Sequence, residues 1–305
     1  MAVLGLSVSQ KQIVMRTTHS LFQEVTLELP YTPPFDWEGI LRVLRLHQMD
    51  GVELVTDLAY ERVFHLEGKR GFVRVTHHAH ARSLRAQIFF EDENAIEIVR
   101  KKIQRMFDLK TDMSKLDAFF MQFPAANLLW RARPGVRLAS GWDAFEVAIN
   151  TVLGQLVSVK RANALVKQLI HMSGEQMDHP LTGAQIALFP SAKKLAQADL
   201  SALGTTAMRK KAIKHVATLV EGHQMVLSDT NIAALKKQLL GIPGIGPWSV
   251  EYIALRALGD PDSFPGSDLG LKKELAKHPE IHVAHFTPYR SYLAVCLWNH
   301  YIAGY

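Results

Sequence analysis

The 305-residue chain has a single cysteine, Cys296. Neither a disulfide framework nor a four-thiolate zinc or iron–sulfur site can be built from one thiol, and a reducing cytoplasm is the expected setting. Long apolar runs are missing too. No window approaches the roughly 20 residues of a membrane span, and Met1–Gln10 lacks the basic start and hydrophobic length of a secretion signal. A soluble protein with no membrane partner is therefore expected. Acidic character is also lacking: the formal charge is +6 and the pI near 9.3. That balance favours a polyanionic partner, although basic proteins without one are common and charge alone decides little. A chain of this length, 48% apolar, exceeds most single cores and predicts more than one domain.

From about Phe22 to Phe107 the pattern mixes strand-like alternation with helical spacing. Glu24–Leu29, Phe72–Thr76 and Ala86–Phe90 read as strands, and Trp37–Leu46 and Ala95–Met106 as helices. The expectation is an α+β domain with an antiparallel sheet. His77, His78 and His80 invite a metal reading. However, a strand puts only His78 and His80 on one face, and no cysteine or acidic residue stands near. From about Asp112 helical periodicity takes over, so a boundary is expected near Lys110–Ser114. This divides the chain into an α+β part, 1–112, and an all-α part, 113–305.

In the second part, Trp142-Asp-Ala-Phe-Glu146 reads as a capping box, with Asp143 at the N-cap and Glu146 reaching back. The helix that follows buries Phe145, Ile149, Val152 and Leu153. Ser158 caps the next, with Ala162, Leu165, Val166, Leu169 and Ile170 on its apolar face, which leaves Gln155 and Leu156 at a tip between the two. Ser173–Leu188, with Pro180 and Gly183, reads as an irregular surface connection. A short helix through Lys193–Gln197 and a turn at Asp199–Gly204 come next. Met208–His215 then opens a longer helix whose Arg209, Lys210, Lys211 and Lys214 suit a solvated face, with Arg209 and Lys210 as non-specific phosphate contacts should the partner be a nucleic acid.

Ile232–Leu240 has amphipathic helical spacing and Gly241 ends it. Three glycines and a proline between Gly241 and Gly246 force a tight turn. Pro247 suits the first position of a second helix reaching about Leu258, where Gly259 and Pro261 stop it. Helix, glycine hairpin, helix is a unit whose N–H groups at Gly244 and Gly246, aided by the helix dipole, suit an anion such as a nucleic-acid phosphate. An ordinary turn between packed helices explains the same glycines.

Gly241-Ile-Pro-Gly-Ile-Gly-Pro-Trp248 followed by Pro265-Gly-Ser-Asp268 resembles the helix-hairpin-helix DNA glycosylase superfamily. Within it, the chain is similar to the alkylated-base glycosylases of the bacterial 3-methyladenine DNA glycosylase II (AlkA) type. Trp142–Glu146, Leu153–Ser158 and Pro288-Tyr-Arg-Ser-Tyr292 match in order, with a weaker likeness at Pro33–Trp37. The resemblance implies a sheet domain beside a helical catalytic part, with double-stranded DNA containing damaged bases as partner, a monomer acting at the nucleoid, and no required cofactor. It implies Asp268 as the essential carboxylate, Trp248, Tyr252 and Tyr289 as the base pocket, and a DNA-facing loop in which Leu156, beside Gln155, fills the gap left by an extruded nucleotide. A core position for Leu156 is the alternative. It also implies a monovalent cation, Na+ or K+, on the carbonyls of Leu240, Ile242 and Ile245.

The chemistry suits these residues. Breaking an N-glycosidic bond develops positive charge on the sugar, and one carboxylate can both stabilise it and position water. Asp268 equally suits the N-cap of the helix Leu269–Ala276, and one residue can serve both roles. Members of the superfamily that also cut the backbone place a lysine just after the hairpin. Trp248 stands there instead, which predicts hydrolysis without strand cleavage. Cationic alkylpurines stack well on electron-rich rings, and Trp248 and Tyr252 lie four apart on one helix face. Two departures bear on substrate range: a smaller ring at Tyr289, and Leu269-Gly270 where a bulkier pair is common. The alternative is a non-catalytic helix-hairpin-helix protein that binds distorted DNA.

Overall fold

The computed structural model describes residues 22–303, so the Met1–Gln10 segment lies outside the described residues. The chain opens with β1 (Gln23–Pro30), α1 (Trp37–Leu46), β2 (Glu53–Val55), β3 (Ala59–Leu66), β4 (Lys69–His78), β5 (Ser83–Phe90) and α2 (Ile96–Met106). The strands form one antiparallel sheet in the order β1-β5-β4-β3-β2. One face, with Tyr60, Phe64, Val73, Val75, Ala86 and Ile88, packs on α1 and α2. The other offers Val63, Phe72 and Phe89 to the core of the helical part. Because β3 is buried on both faces it shows no alternation, which hides it and its short partner β2 in the sequence.

The helical part comprises α3 (Met113–Phe120), α4 (Pro124–Arg131), α5 (Ala144–Gly154), α6 (Val159–Ser173), a hairpin β6 (Glu175–Asp178) and β7 (Gln185–Leu188), α7 (Ala192–Gln197), α8 (Ala207–Glu221), α9 (Ile232–Leu240), α10 (Pro247–Ile253), α11 (Leu269–Lys277) and α12 (Arg290–Ala303). The stretch expected to be irregular, Ser173–Leu188, is thus largely a paired ribbon. His179 N–H donates to Ala184 O at 2.8 Å and Ala187 N–H to Gly51 O at 3.1 Å, which fixes the ribbon against the loop before β2. Four-residue strands are too short for periodicity to reveal. α5, α6, α8, α9 and α10 share one core, while α3, α4, α11 and α12 share another with the segment Val136–Leu138.

Two local expectations change. Asp143 caps α5, accepting from the N–H groups of Phe145 and Glu146 at 2.9 and 3.4 Å, but Glu146 does not reach back to it. Both Glu146 oxygens instead accept from Arg62 Nη2, at 3.0 and 2.9 Å, and Arg62 also meets Glu53 at 3.0 Å. A buried guanidinium between sheet and helix outcompetes a single backbone amide for a carboxylate. Second, the hairpin's second helix is not α-helical to Leu258: it widens into a π turn over Ala254–Leu258. There Arg256 O accepts the Gly141 N–H at 2.7 Å, so a non-helical segment occupies a carbonyl an α-helix would use internally, and the Arg256 guanidinium donates to Ala139 O.

Candidate active site

α9 ends at Gly241, and the chain turns through Ile242–Ile245, where Ile245 N–H donates to Ile242 O at 3.0 Å. Gly244 has φ +94°, and a Cβ there would lie 3.0 Å from Met208 Cγ, so both conformation and space require glycine. Gly246 has open space around it and caps α10 without a side-chain hydrogen bond, which leaves the first N–H groups of that helix facing outward.

Beside the hairpin stands the turn between α5 and α6. Leu156 is fully exposed, at 101%, and its φ is +52°, so the core alternative for this side chain fails. A leucine in the left-handed region persists only where its surroundings over-determine it. Gln155 supplies that constraint. Its Nε2 donates to Gly244 O at 2.8 Å and to Ser249 Oγ at 2.9 Å, and its own carbonyl accepts the Arg209 guanidinium. Leu156 is thereby held at a fixed position relative to the hairpin. Gln155 and Arg209 both act inward, and Lys210 Nζ donates to Ser201 O at 2.6 Å.

Asp268 caps α11. Its Oδ1 accepts from the N–H groups of Gly270 and Leu271 at 2.9 and 3.2 Å and from Trp298 Nε1 at 2.9 Å, while Oδ2 lies 3.3 Å from Trp248 Nε1. Four donors fix the orientation of one half-buried carboxylate. Gly270 is needed for this closeness, since a Cβ there would lie 3.2 Å from Oδ1 and 3.0 Å from the Tyr301 ring. The loop delivering Asp268 is braced from three sides. Glu251 accepts from Phe264 N–H at 3.0 Å and from Lys236 at 2.9 Å; Arg290 forks onto Asp262 at 2.8 Å through both nitrogens; and Ser291 Oγ accepts from Ser263 N–H at 3.0 Å. The Pro288–Tyr292 segment thus acts on the site mainly through this brace.

Trp248 and Tyr252 stack at 5.0 Å with planes 20° apart, next to Asp268. Tyr252 meets the Trp298 ring edge-on at 6.0 Å and the His47 ring at 6.4 Å, and its hydroxyl stands 3.4 Å from His47 Nε2. Burial pushes the Tyr252 phenol up. Burial and the neighbouring Arg256 guanidinium push His47 down to about 3, so this ring is neutral at pH 7. His47 and Trp298 are the site neighbours that the sequence reading missed. Nothing local marks either, because each arrives from another element, the end of α1 or the middle of α12. Tyr289 packs elsewhere: its ring contacts are with Phe119 at 5.0 Å and Tyr292 at 6.2 Å.

A groove between α1, α6 and the end of α12 runs beside this cluster, with Arg42, Arg45, Lys160 and Lys167 among its walls. Arg45 and Lys167 are paired with Asp57 and Asp50, at 2.8 and 3.7 Å. Spacing of Lys160 and Lys167 by two helical turns was the signal available in the sequence. The His77–His80 segment forms no ligand group among the described residues. His77 instead hydrogen-bonds Tyr31 at 2.8 Å and packs on Trp37.

Residues 26–143 match the family model of the AlkA N-terminal domain. The DNA-3-methyladenine glycosylase 2 of Escherichia coli K12 is 30% identical over 278 residues, covering 88% of this chain and 95% of that protein. A probable bifunctional transcriptional activator/DNA repair enzyme AlkA of Mycobacterium tuberculosis H37Rv is 33% identical over 285 residues, 90% of this chain, which spans only 57% of that relative's length. Among solved structures, a 3-methyladenine DNA glycosylase from Archaeoglobus fulgidus superposes with a TM-score of 0.76 at 18% identity, covering 92% of this chain and 98% of that one. The 8-oxoguanine glycosylase/lyase of Clostridium acetobutylicum gives 0.68 at 16% identity, over 91% and 96%. The two structures speak to the fold alone. No described helix is long and apolar enough to cross a membrane. By the N-terminal match and the near full-length likeness to the E. coli protein, the chain belongs to the AlkA family of DNA-3-methyladenine glycosylases.

Proposed function

We propose that this chain is a monofunctional DNA glycosylase that extrudes alkylated purines from double-stranded DNA and hydrolyses their N-glycosidic bond in base excision repair. The observation that carries the reading is Asp268, oriented by four donors against a stacked Trp248–Tyr252 pair. A flipped cationic base would stack on the indole and phenol faces, and the carboxylate would lie by the anomeric carbon. At about 3.5 Å and an effective dielectric of ~20, a unit charge pair is worth roughly 5 kcal/mol, equivalent to between three and four powers of ten in rate. Trp248 stands where a backbone-cutting relative needs its lysine, so water is the nucleophile and the strand stays intact. Leu156 would occupy the vacated stack, and its exposure and fixed backbone suit that role. The outward N–H groups of the hairpin, with Arg42, Lys160 and their neighbours in the groove, would receive phosphates.

A monovalent cation at the hairpin fits the donor set. Leu240, Ile242 and Ile245 present carbonyls at the turn, and Ile242 O, which already accepts one N–H, keeps a second lone pair. When bound, such an ion would add positive charge to the hairpin and so favour an anion there. Tyr289, packed on Phe119, enters the reading at most as a pocket border. A monomer at the nucleoid, with a domain division near residues 112 and 113, completes it. The test is chromatography of free bases released from methylated duplex DNA, with strand breaks scored on a denaturing gel before and after alkali. Free methylpurine with breaks only after alkali supports the proposal. Breaks without alkali would contradict the monofunctional part, and tight duplex binding with no base released from methylated DNA would favour a non-catalytic binder.

A further inference from the structure

The end of α11 opposite Asp268 carries a second polar cluster, which the reaction does not use. Glu274 and His278 lie one helical turn apart, and His300 approaches from α12; one donor atom of each lies within 4.8 Å of the others. The Glu274 carboxylate is completely buried, with Oε2 2.6 Å from His300 Nδ1 and Oε1 2.9 Å from Lys277 Nζ. The His278 and His300 rings meet edge-on at 5.7 Å. His278 Nε2 is buried and has no hydrogen-bond partner among the described residues, while its Nδ1 faces Glu280 at 3.6 Å. Buried polar atoms are almost always partnered, and one left over beside a carboxylate and a second imidazole points to a missing electrophile.

We propose that Glu274, His278 and His300 bind one divalent transition-metal ion, of which Zn2+ is the reference probe. Two imidazoles and a carboxylate are borderline ligands suited to Zn2+, with water as a fourth. Around an ion at about 2.1 Å, tetrahedral donors sit roughly 3.4 Å apart, so the cluster need contract by no more than about 1.4 Å. Lys277 competes for the same carboxylate, but its side chain is half exposed and can swing into solvent. Binding would displace the Lys277 ammonium and any proton on the ligating nitrogen of each ring. The ion would then tie the end of α11 to α12, while Asp268 and Trp298 join the start of α11 to a neighbouring part of α12. Such a tie stabilises the folded chain by mass action.

The test uses the full chain, freed of metal, titrated with ZnCl2 by calorimetry and with CoCl2 by visible absorption, and melted with and without one equivalent of Zn2+. The chain has 14 histidines, so the site is assigned by variants. Expected are one tight equivalent, Co2+ bands of low-symmetry coordination, and a Tm raised by Zn2+. Affinity should fall at least about tenfold in His278→Gln and in His300→Gln, hold in His285→Gln, and rise in Lys277→Ala as the competitor is removed. His278→Gln and His300→Gln change largely buried side chains, so both are checked for unaltered circular dichroism. Absence of a stoichiometric site, or binding undiminished in both histidine variants, would overturn the proposal.

Discussion

The two ends of α5 are built in opposite ways. At its start, Glu146 is buried against Arg62, Arg62 lies between two carboxylates and over the Trp142 ring, and the cluster's hydrogen-bonding capacity is turned inward. Burial pushes the Glu146 carboxyl up while Arg62 pulls it down, as in any charge pair withdrawn from water. At its other end, one residue past Gln155, a leucine is held in a left-handed conformation with its whole side chain in solvent. The first end joins the sheet to the helices and offers a ligand nothing. The second is held rigid by Gln155 yet has no partner for its side chain among the described residues. One helix thus carries a joint and a tool, and they should respond to mutation differently.

The largest effect on this contrast should come from Glu146→Ala. Removing one partner of a buried pair leaves Arg62 undercompensated, and the urea midpoint should fall by an amount worth about 3–5 kcal/mol. A change below the equivalent of ~1 kcal/mol would show that the joint is not where the sheet is held. Next is Leu156→Ala, for which single-turnover base release should drop about 10- to 100-fold, matching ~1.5–3 kcal/mol of lost apolar burial in the duplex. Its urea curve should move by no more than about 0.5 kcal/mol. Leu156→Gly should lose the same activity without loss of stability, since glycine accepts the left-handed backbone. Equal losses of activity and stability in these variants would dissolve the distinction between the two ends.

His47 gives a smaller, pH-dependent effect. Its folded-state value, near 3, lies below the ordinary 6.5. The unfolded chain therefore takes up a proton as pH falls below about 6.5 while the folded chain refuses it. The stability this histidine contributes is complete above that pH and is lost toward pH 3, at up to about 1.4 kcal/mol per pH unit. Urea titrations from pH 7 to 5 should show a flatter acid limb for His47→Gln, and an identical slope would mean that the ring is not shielded. The smallest effect is expected for Gln155→Ala. Losing two exposed-to-partly-buried hydrogen bonds should cost about 1 kcal/mol and a few-fold in base release. A loss as large as that of Leu156→Ala would assign Gln155 a direct role on DNA.

Legibility in the sequence followed the range of the interactions. Caps and turns are local, and Asp143, Ser158 and Asp268 all accept the N–H groups their spacing implied. The helices flanking the hairpin begin at Ile232 and Pro247 as read, because glycine and proline act within a few residues. β3 was hidden by burial on both faces, and β6 and β7 by shortness. The π turn depended on a contact between Arg256 and Gly141, residues 115 positions apart by their numbers. At the site, Asp268, Trp248 and Tyr252 share one local neighbourhood and were named together. Trp298 and His47 join them only through tertiary packing. Tyr289 was placed by motif position, and motif position does not say which way a ring turns.

The central claim rests on Asp268, and the most direct measurement is single-turnover release of methylpurine from methylated duplex by wild type and Asp268→Asn, alongside binding to an abasic-site duplex. Asparagine keeps an oxygen for the helix cap, so the fold should hold. Release should fall by about 10³-fold or more with duplex binding retained. Release within about tenfold of wild type would contradict the claim, leaving Asp268 as a cap and placing the chemistry elsewhere.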